Sequence, residues 1–317
     1  MPSSDHLNTA VLLIIFNRPR NTQEVFDAIE RIRPKQLFVA ADGAREGVVG
    51  EAELCNEARS IATRVTWPCE VKTLFREKNL GCKKAVSEGI SWFFQHVPEG
   101  IILEDDCVPN PTFFGFCEQM LSYYREDKRV MMVCGTNYLS EEVMAITEDS
   151  YFFSNYYPIW GWATWRRAWE LYDPAMKGWE KHREAGQLDY LFPYQAIARY
   201  YHTMFDMITN GFDTWDIQWW YTCIFNHGLS VIPKYNLIAN RGEQGTHTGT
   251  QGSFAINMPT IDIDYNKLKH PANVVPLRRV NELTYTNSHA QVVLVESTWV
   301  KVKQKIKSSI KNKVVPK

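Results

Sequence analysis

The stretch 100-GIILEDDCVPNPTFF-114 places three acids, Glu104, Asp105 and Asp106, directly behind the apolar run Ile101-Ile102-Leu103. A short branched run bounded by polar residues reads as a buried strand. Carboxylates at the end of such a strand repel one another and are costly to take out of water. Either the acids form a solvated surface turn, or a cation neutralises them. Their hard oxygen atoms suit Mg2+ or Mn2+, ions that keep coordination positions open for phosphate oxygens. From this stretch alone both readings stand.

Upstream, strand-like and helix-like segments alternate. The run 10-AVLLIIFNRP-19 reads as a buried strand ended by Asn17-Arg18-Pro19. A helix follows over 21-NTQEVFDAIERI-32, with Asn21 as its expected N-cap. A second strand, 35-KQLFVAADGAR-45, ends in Asp42-Gly43, and a charged helix is expected around residues 50 to 64. A third strand, 69-CEVKTLFREKNLG-81, runs into a polar loop, and 82-CKKAVSEGISWFFQH-96 reads as a helix before the strand of the opening stretch. Such alternation implies an α/β fold, Rossmann-like, with a mainly parallel sheet flanked by helices. Sheets of this kind bind ligands beyond the carboxyl ends of their strands. Asn17, Arg18, Asp42, Arg76 and the three acids are therefore expected to face one crevice.

Beyond Pro111 come a helix and the strand 129-RVMMVCGTN-137, and then a half rich in aromatics. It contains 156-YYPIWGWATWRRAWELY-172, 213-DTWDIQWWYTCIFNHG-228, the expected strand 229-LSVIPKYNLIAN-240 and the loop 241-RGEQGTHTGTQGS-253. No repeat or linker appears before about residue 265, which gives one domain over 1–265 and a less regular arm over 266–298. The tail, 299-WVKVKQKIKSSIKNKVVPK-317, has seven lysines, no acid, and apolar residues at helical spacing. It reads either as a basic amphipathic helix for an anionic membrane surface or as a frayed terminus.

The net charge of -1 creates no field toward nucleic acid. Seven scattered cysteines form no C-x-x-C pair, which argues against a zinc site and a disulfide framework. No signal peptide is legible, and no apolar run reaches the roughly 18 residues of a membrane span. The expected location is cytoplasmic, with peripheral attachment to the inner membrane face through the tail.

The segments FREKNLGCKKAVSEGISWFF and GIILEDDCVPNPTFFGF resemble the nucleotide-sugar-binding half of GT-A glycosyltransferases. They are most similar to N-acetylglucosaminyltransferase I and its bacterial relatives, which carry an E-D-D variant of the D-x-D motif. YYPIWGWATWRRAWELY resembles that family's aromatic-glycine segment, which opens a helix near the donor sugar. DTWDIQWWY resembles its W-D segment with the catalytic base, and VIPKYNLIANRGEQGTHTG its Pro-containing strand and mobile loop. The resemblance spans roughly residues 11 to 255, with the motifs in matching order. Its IWGWATW is bulkier than the animal enzymes' segment, and the chain shows no luminal anchor, so a bacterial-type enzyme is the better match.

The resemblance implies a metal-dependent inverting transferase using Mn2+ or Mg2+. Its donor would be a nucleoside diphosphate sugar, above all a UDP-sugar, and its acceptor a glycan or lipid-linked glycan. Asp106 would hold the metal, Asp105 approach the ribose or sugar, and Glu104 bond a donor-sugar hydroxyl. Asp42 would accept from the base ring N–H, with Arg18 and Arg76 flanking the nucleotide and Asn17 beside them. Gly161 and Trp162 would approach the donor, Arg241 clamp the diphosphate, and His247 reach the metal or diphosphate. Asp216 is the candidate general base, with Asp213 its competitor. Trp215, Trp219 and Trp220 would form an acceptor platform, or serve as core. Two other classes compete: a sugar-phosphate nucleotidyltransferase, although FNRPRN lacks a glycine-rich phosphate loop, and a non-catalytic sugar-binding protein.

Overall fold

The computed structural model describes residues 6–192, 194–242 and 257–288. The alternation in the sequence is present: β1 (Val11–Ile15), α1 (Pro19–Ile32), β2 (Gln36–Ala41), α2 (Glu51–Ala62), β3 (Glu70–Phe75), α3 (Cys82–His96) and β4 (Glu99–Glu104). Asp105 and Asp106 turn the chain into β5 (Cys107–Pro109), before α4 (Pro111–Tyr123) and β6 (Val130–Cys134). The second half adds α5 (Ser140–Met144), β7 (Tyr151–Ser154), β8 (Trp162–Trp165), α6 (Arg166–Trp169), α7 (Trp179–Glu184), α8 (Gln187–Leu191) and α9 (Gln195–Thr209). After these come α10 (Asp216–Phe225), β9 (Leu229–Pro233), β10 (Ile238–Asn240) and α11 (Arg278–Ser288).

The main sheet has eight strands in the order β3-β2-β1-β4-β8-β6-β9-β7. Its first four strands are mutually parallel, β8 is antiparallel to both neighbours, β6 and β9 are parallel, and β7 closes the edge antiparallel. This is a mixed, mainly parallel α/β sheet of Rossmann type. β5 and β10 form a separate antiparallel ribbon.

Strand side chains alternate between two cores. Leu12, Ile14, Phe38, Ala40 and Ile102 pack on one face with Val86, Ile90 and Phe93 of α3. Val11, Leu13, Ile15, Val39 and Leu103 pack on the other with Val25 and Phe26 of α1 and Phe113 of α4. Strands covered on both faces are apolar at every position, which is why their runs look continuous in sequence. The same parity aims Glu104, paired with Ile14 across the sheet, toward the α3 face.

Three expectations are corrected. Helix α1 begins at Pro19, with Arg18 as N-cap, so Asn21 lies inside it. Proline's fixed φ and missing N–H suit the first helical position. The segment around Trp162 does not open a helix directly. It forms β8, inserted antiparallel between β4 and β6, and α6 starts only at Arg166. The expected strand 229–240 is two strands separated by Lys234–Leu237, and the second leaves the main sheet to pair with β5. His247 with its loop, and the tail 299–317, lie outside the described residues.

The described part of the C-terminal arm packs on the domain. Val280 and Tyr285 of α11 are buried in the α3-side core, and Tyr285 pairs with Tyr201 of α9 at 2.9 Å. All seven thiols are free. No helix among the described residues is long and apolar enough to cross a membrane.

A hydroxyl chain also secures the arm: Tyr124 meets Tyr151, and Tyr151 meets His270 Nδ1 at 2.7 Å. Burial lowers the His270 pKa, so folding favours the neutral ring that can accept from Tyr151. This contribution is complete above the unfolded pKa of about 6.5 and fades as the pH falls below it. Tyr151→Phe should therefore destabilise the protein measurably at pH 7.5, and by less at pH 5. Urea unfolding at both pH values checks this; an equal loss at both would detach His270 from the effect.

Candidate functional site

A cavity of about 380 Å3 opens beyond the carboxyl ends of β1, β2, β3 and β4. Its floor is apolar: Ile14, Ala40, Leu74, Ala85 and Val86, with Phe16 beside them. Its polar rim includes Asn17, Arg18, Asp42, Arg76, Glu104 and Asp105. The strand ends thus bring together most of the residues expected to face one crevice.

Arg18 organises the acidic wall. It forms an ion pair with Asp105 and donates from Nη1 to Asp106 Oδ2 at 2.8 Å. Asp105 is only 1% exposed, and its Oδ2 also accepts from the Phe16 backbone N–H at 3.2 Å. It ties the β4 turn to the β1–α1 loop. Burial, helped by Asp106, raises the Asp105 pKa against the pull of Arg18. Burial likewise raises that of Glu104, with Asp106 and Asp105 adding to the shift. Burial opposes the charge of Arg18, but the three acids outweigh it and hold the guanidinium protonated.

Asp42 is less available than expected. Its carboxylate accepts from the backbone N–H groups of Gly43, Leu80 and Gly81 at 2.9 to 3.2 Å. Burial nonetheless raises its pKa, against those three hydrogen bonds. In this arrangement Asp42 anchors the loop that overhangs the cavity. Arg76 pairs with Glu88 of α3 at 2.7 Å. Arg241 lies outside this cavity, in a neighbouring recess of about 630 Å3 that shares Asn17 and Arg18. Its Nε pairs with Glu24 at 3.3 Å, and its backbone N–H donates to the Asp106 carbonyl.

The two candidate bases have different surroundings. Asp213 accepts from Cys82 N–H at 3.1 Å and Lys83 N–H at 3.2 Å, capping α3 from a distant loop. Both of its oxygens are therefore engaged. Asp216 is the first residue of α10, half-buried, and accepts from the Thr214 hydroxyl. Its charge adds to the raised pKa of Glu104, whereas Asp213 itself lines the cavity.

Several expected contacts are corrected. Trp215 and Trp219 are 2% and 0% exposed and pack against Trp162, itself 1% exposed. Their ring faces are spent on one another, so they are core, and Trp162 offers no surface to a donor. Trp220 is half-buried and donates to the Tyr157 carbonyl at 2.9 Å. At Gly161 the φ is +61°, and an added Cβ would sit 2.4 Å from Ile238. Here the close approach is by the β10 side chain.

Among the cavity residues not expected from the sequence are Arg45, Phe16, Asn79 and Cys82. Arg45 had a signal, since it lies three residues beyond Asp42 at the same strand end.

Among the described residues, no group of three or more His, Cys, Asp or Glu is arranged to hold a metal ion. A preformed cage is not what Mg2+ requires; it is commonly held by one or two carboxylates together with substrate phosphates and water. Asp106 fits that role. Its side chain is partly exposed, and its Oδ1 is approached by the Cys107 thiol, a weak donor, at 3.4 Å. Three carboxyls face one guanidinium here, leaving an excess of acid that a cation would offset.

No known protein-family model matches the chain. No curated protein matches it. Among solved structures, a UDP-glucose pyrophosphorylase complexed with UDP-glucose is 10% identical, with a TM-score of 0.24. The match covers 46% of this chain and 62% of that one, a likeness too slight to argue from.

The overhanging loop rests on Gly81, whose φ of +81° and ψ of 163° are essentially restricted to glycine. An added Cβ would also lie 2.8 Å from the capping Asp213 carboxylate. Gly81→Ala should cost about 1–3 kcal/mol of stability. Urea unfolding measures this, and an unchanged midpoint would show that the loop and cap rebuild without strain.

Proposed function

We propose that the protein is a glycosyltransferase. It moves a sugar from a nucleoside diphosphate donor, above all a UDP-sugar, to a hydroxyl of a glycan or lipid-linked glycan. The observation that carries this reading is the single crevice beyond β1–β4. An apolar floor suited to a nucleoside adjoins an acidic wall, and the charge of Asp216 at the start of α10 adds to the raised pKa of Glu104 in that wall.

The floor residues would take the base, and Arg18 would meet the diphosphate as it leaves the acids in part. Asp106 would hold Mg2+ or Mn2+, which when bound supplies positive charge to the departing diphosphate. Asp216 would take the acceptor hydroxyl proton as that oxygen bonds to the anomeric carbon. The bond from that carbon to the diphosphate breaks on the opposite side, so the configuration inverts. Asp213, which lines the cavity and caps α3 with both oxygens, is the competing candidate. The basic tail 299–317 would keep the enzyme at an anionic membrane face, where lipid-linked acceptors for bacterial cell-surface polysaccharide lie.

A screen of UDP-sugars with Mn2+ for UDP release and thermal stabilisation tests the reading; no response to any of them would overturn it. Asp216→Asn should retain donor binding and lower transfer by about 100-fold or more, the usual scale of general-base catalysis. A near-wild-type rate would move the base elsewhere. Asp106→Ala should abolish the Mn2+-dependent part of UDP affinity, measured by calorimetry with and without the ion. Unchanged Mn2+ dependence would remove Asp106 as the ligand.

A further inference from the structure

Beside the base-sized floor lies an arginine with an unusual anchor. Glu51, at the first position of α2, is 2% exposed although it carries a carboxylate. Arg45 engages it from Nε at 3.0 and 3.1 Å and from Nη2, and its backbone N–H donates to the same carboxylate at 2.6 Å. Asn17 donates its amide to Glu51 Oε1 at 2.8 Å, so two cavity-lining side chains share one buried acid. The Arg45 hydrogen bond holds Glu51 below the usual carboxylate range despite its burial.

The fork leaves one end unused. Nη1 of Arg45 has no hydrogen-bond partner among the described residues, and the side chain remains 47% exposed at the cavity wall. The guanidinium sits over Phe16, 5.8 Å from the ring centroid, on the β2 side of the cavity. Arg18 and the acids lie toward β4, with β1 between the two sides. The two ends of the cavity are thus chemically different. One has a planar cation over Phe16 in a cavity with an apolar floor, and the other has acids and the arginine that neutralises them.

We propose that Arg45, pinned by Glu51, is a nucleobase-contacting residue whose free Nη1 donates to an acceptor oxygen on the base. Glu51 is a positioning residue: it removes the rotamer freedom that Arg45 would otherwise lose on binding. A guanidinium only donates, so it selects a base edge that turns an acceptor toward it. This rests on the nucleotide-binding reading above, with Arg45 added to that site.

Calorimetry on the full chain with UMP, UDP and inorganic diphosphate, each with Mn2+ present, tests it. Arg45→Ala should weaken UMP and UDP by the same factor, about tenfold or more, as for a hydrogen bond from a charged group. Diphosphate affinity should stay unchanged. Glu51→Gln should weaken both nucleotides by a smaller factor, because Arg45 loses its charged anchor and keeps its own charge. If Arg45→Ala does not fold, Arg45→Lys carries the same comparison, since it keeps the charge and loses the fork. Unchanged UMP affinity in a folded Arg45 variant would overturn the proposal and leave the nucleotide reading standing. An equal loss of diphosphate affinity would overturn it too, by placing Arg45 at the phosphates. Wild-type protein that binds none of the three ligands would instead remove the nucleotide reading, and this proposal with it.

Discussion

One guanidinium between two carboxylates holds the crevice in shape. Arg18 caps α1 with its backbone and engages Asp105 and Asp106 with its side chain. Asp105 returns a bond to the Phe16 N–H. The ends of the neighbouring parallel strands β1 and β4 are thereby joined where their backbone ladder stops. Removing Arg18 would leave the buried Asp105 carboxylate without its compensating charge. The acids at the end of β4 are tolerable because this arginine stands one strand away.

The same arrangement recurs around the crevice. Arg45 rests on Glu51, Arg76 on Glu88, and Arg241 on Glu24. Each long cationic side chain is held in place by an acid from an adjoining helix. Arginine side chains lose considerable rotamer entropy when ordered on a ligand. Here much of that ordering is already present in the fold. Polar groups facing the cavity are also spoken for to different degrees: Asp42 is occupied by a backbone loop, whereas Arg45 keeps a donor free. That difference separates residues that shape the cavity from those able to answer a ligand.

The parallel half of the fold was legible because its signal is local. Continuous apolar runs bounded by Asn17-Arg18, Asp42-Gly43 and the acids mark both the strands and the ends where ligands gather. The aromatic half was less legible. Trp215 and Trp219 have the composition of a sugar platform, and only their packing against Trp162 shows them to be core. IWGWATW carries no clear period, so its role as β8 follows from the gap it fills between β4 and β6. Arg45 was passed over because its meaning depends on Glu51, an acid that reads in sequence as one more surface charge on a charged helix.

Asp213 on the N-terminus of α3 has a consequence for how the crevice comes into being. The acceptor and the amides it caps are 131 and 130 residues apart in the chain. Contacts of such separation close large loops and form late unless packing has already drawn the segments together. The first four strands and their helices pack on near neighbours in sequence. Their overhanging loop would still lack the carboxylate that completes it until the aromatic half had docked. A nascent or truncated chain ending before Asp213 would carry every acid of the opening stretch with an incomplete crevice around them. The intact crevice thus depends on both halves of the chain.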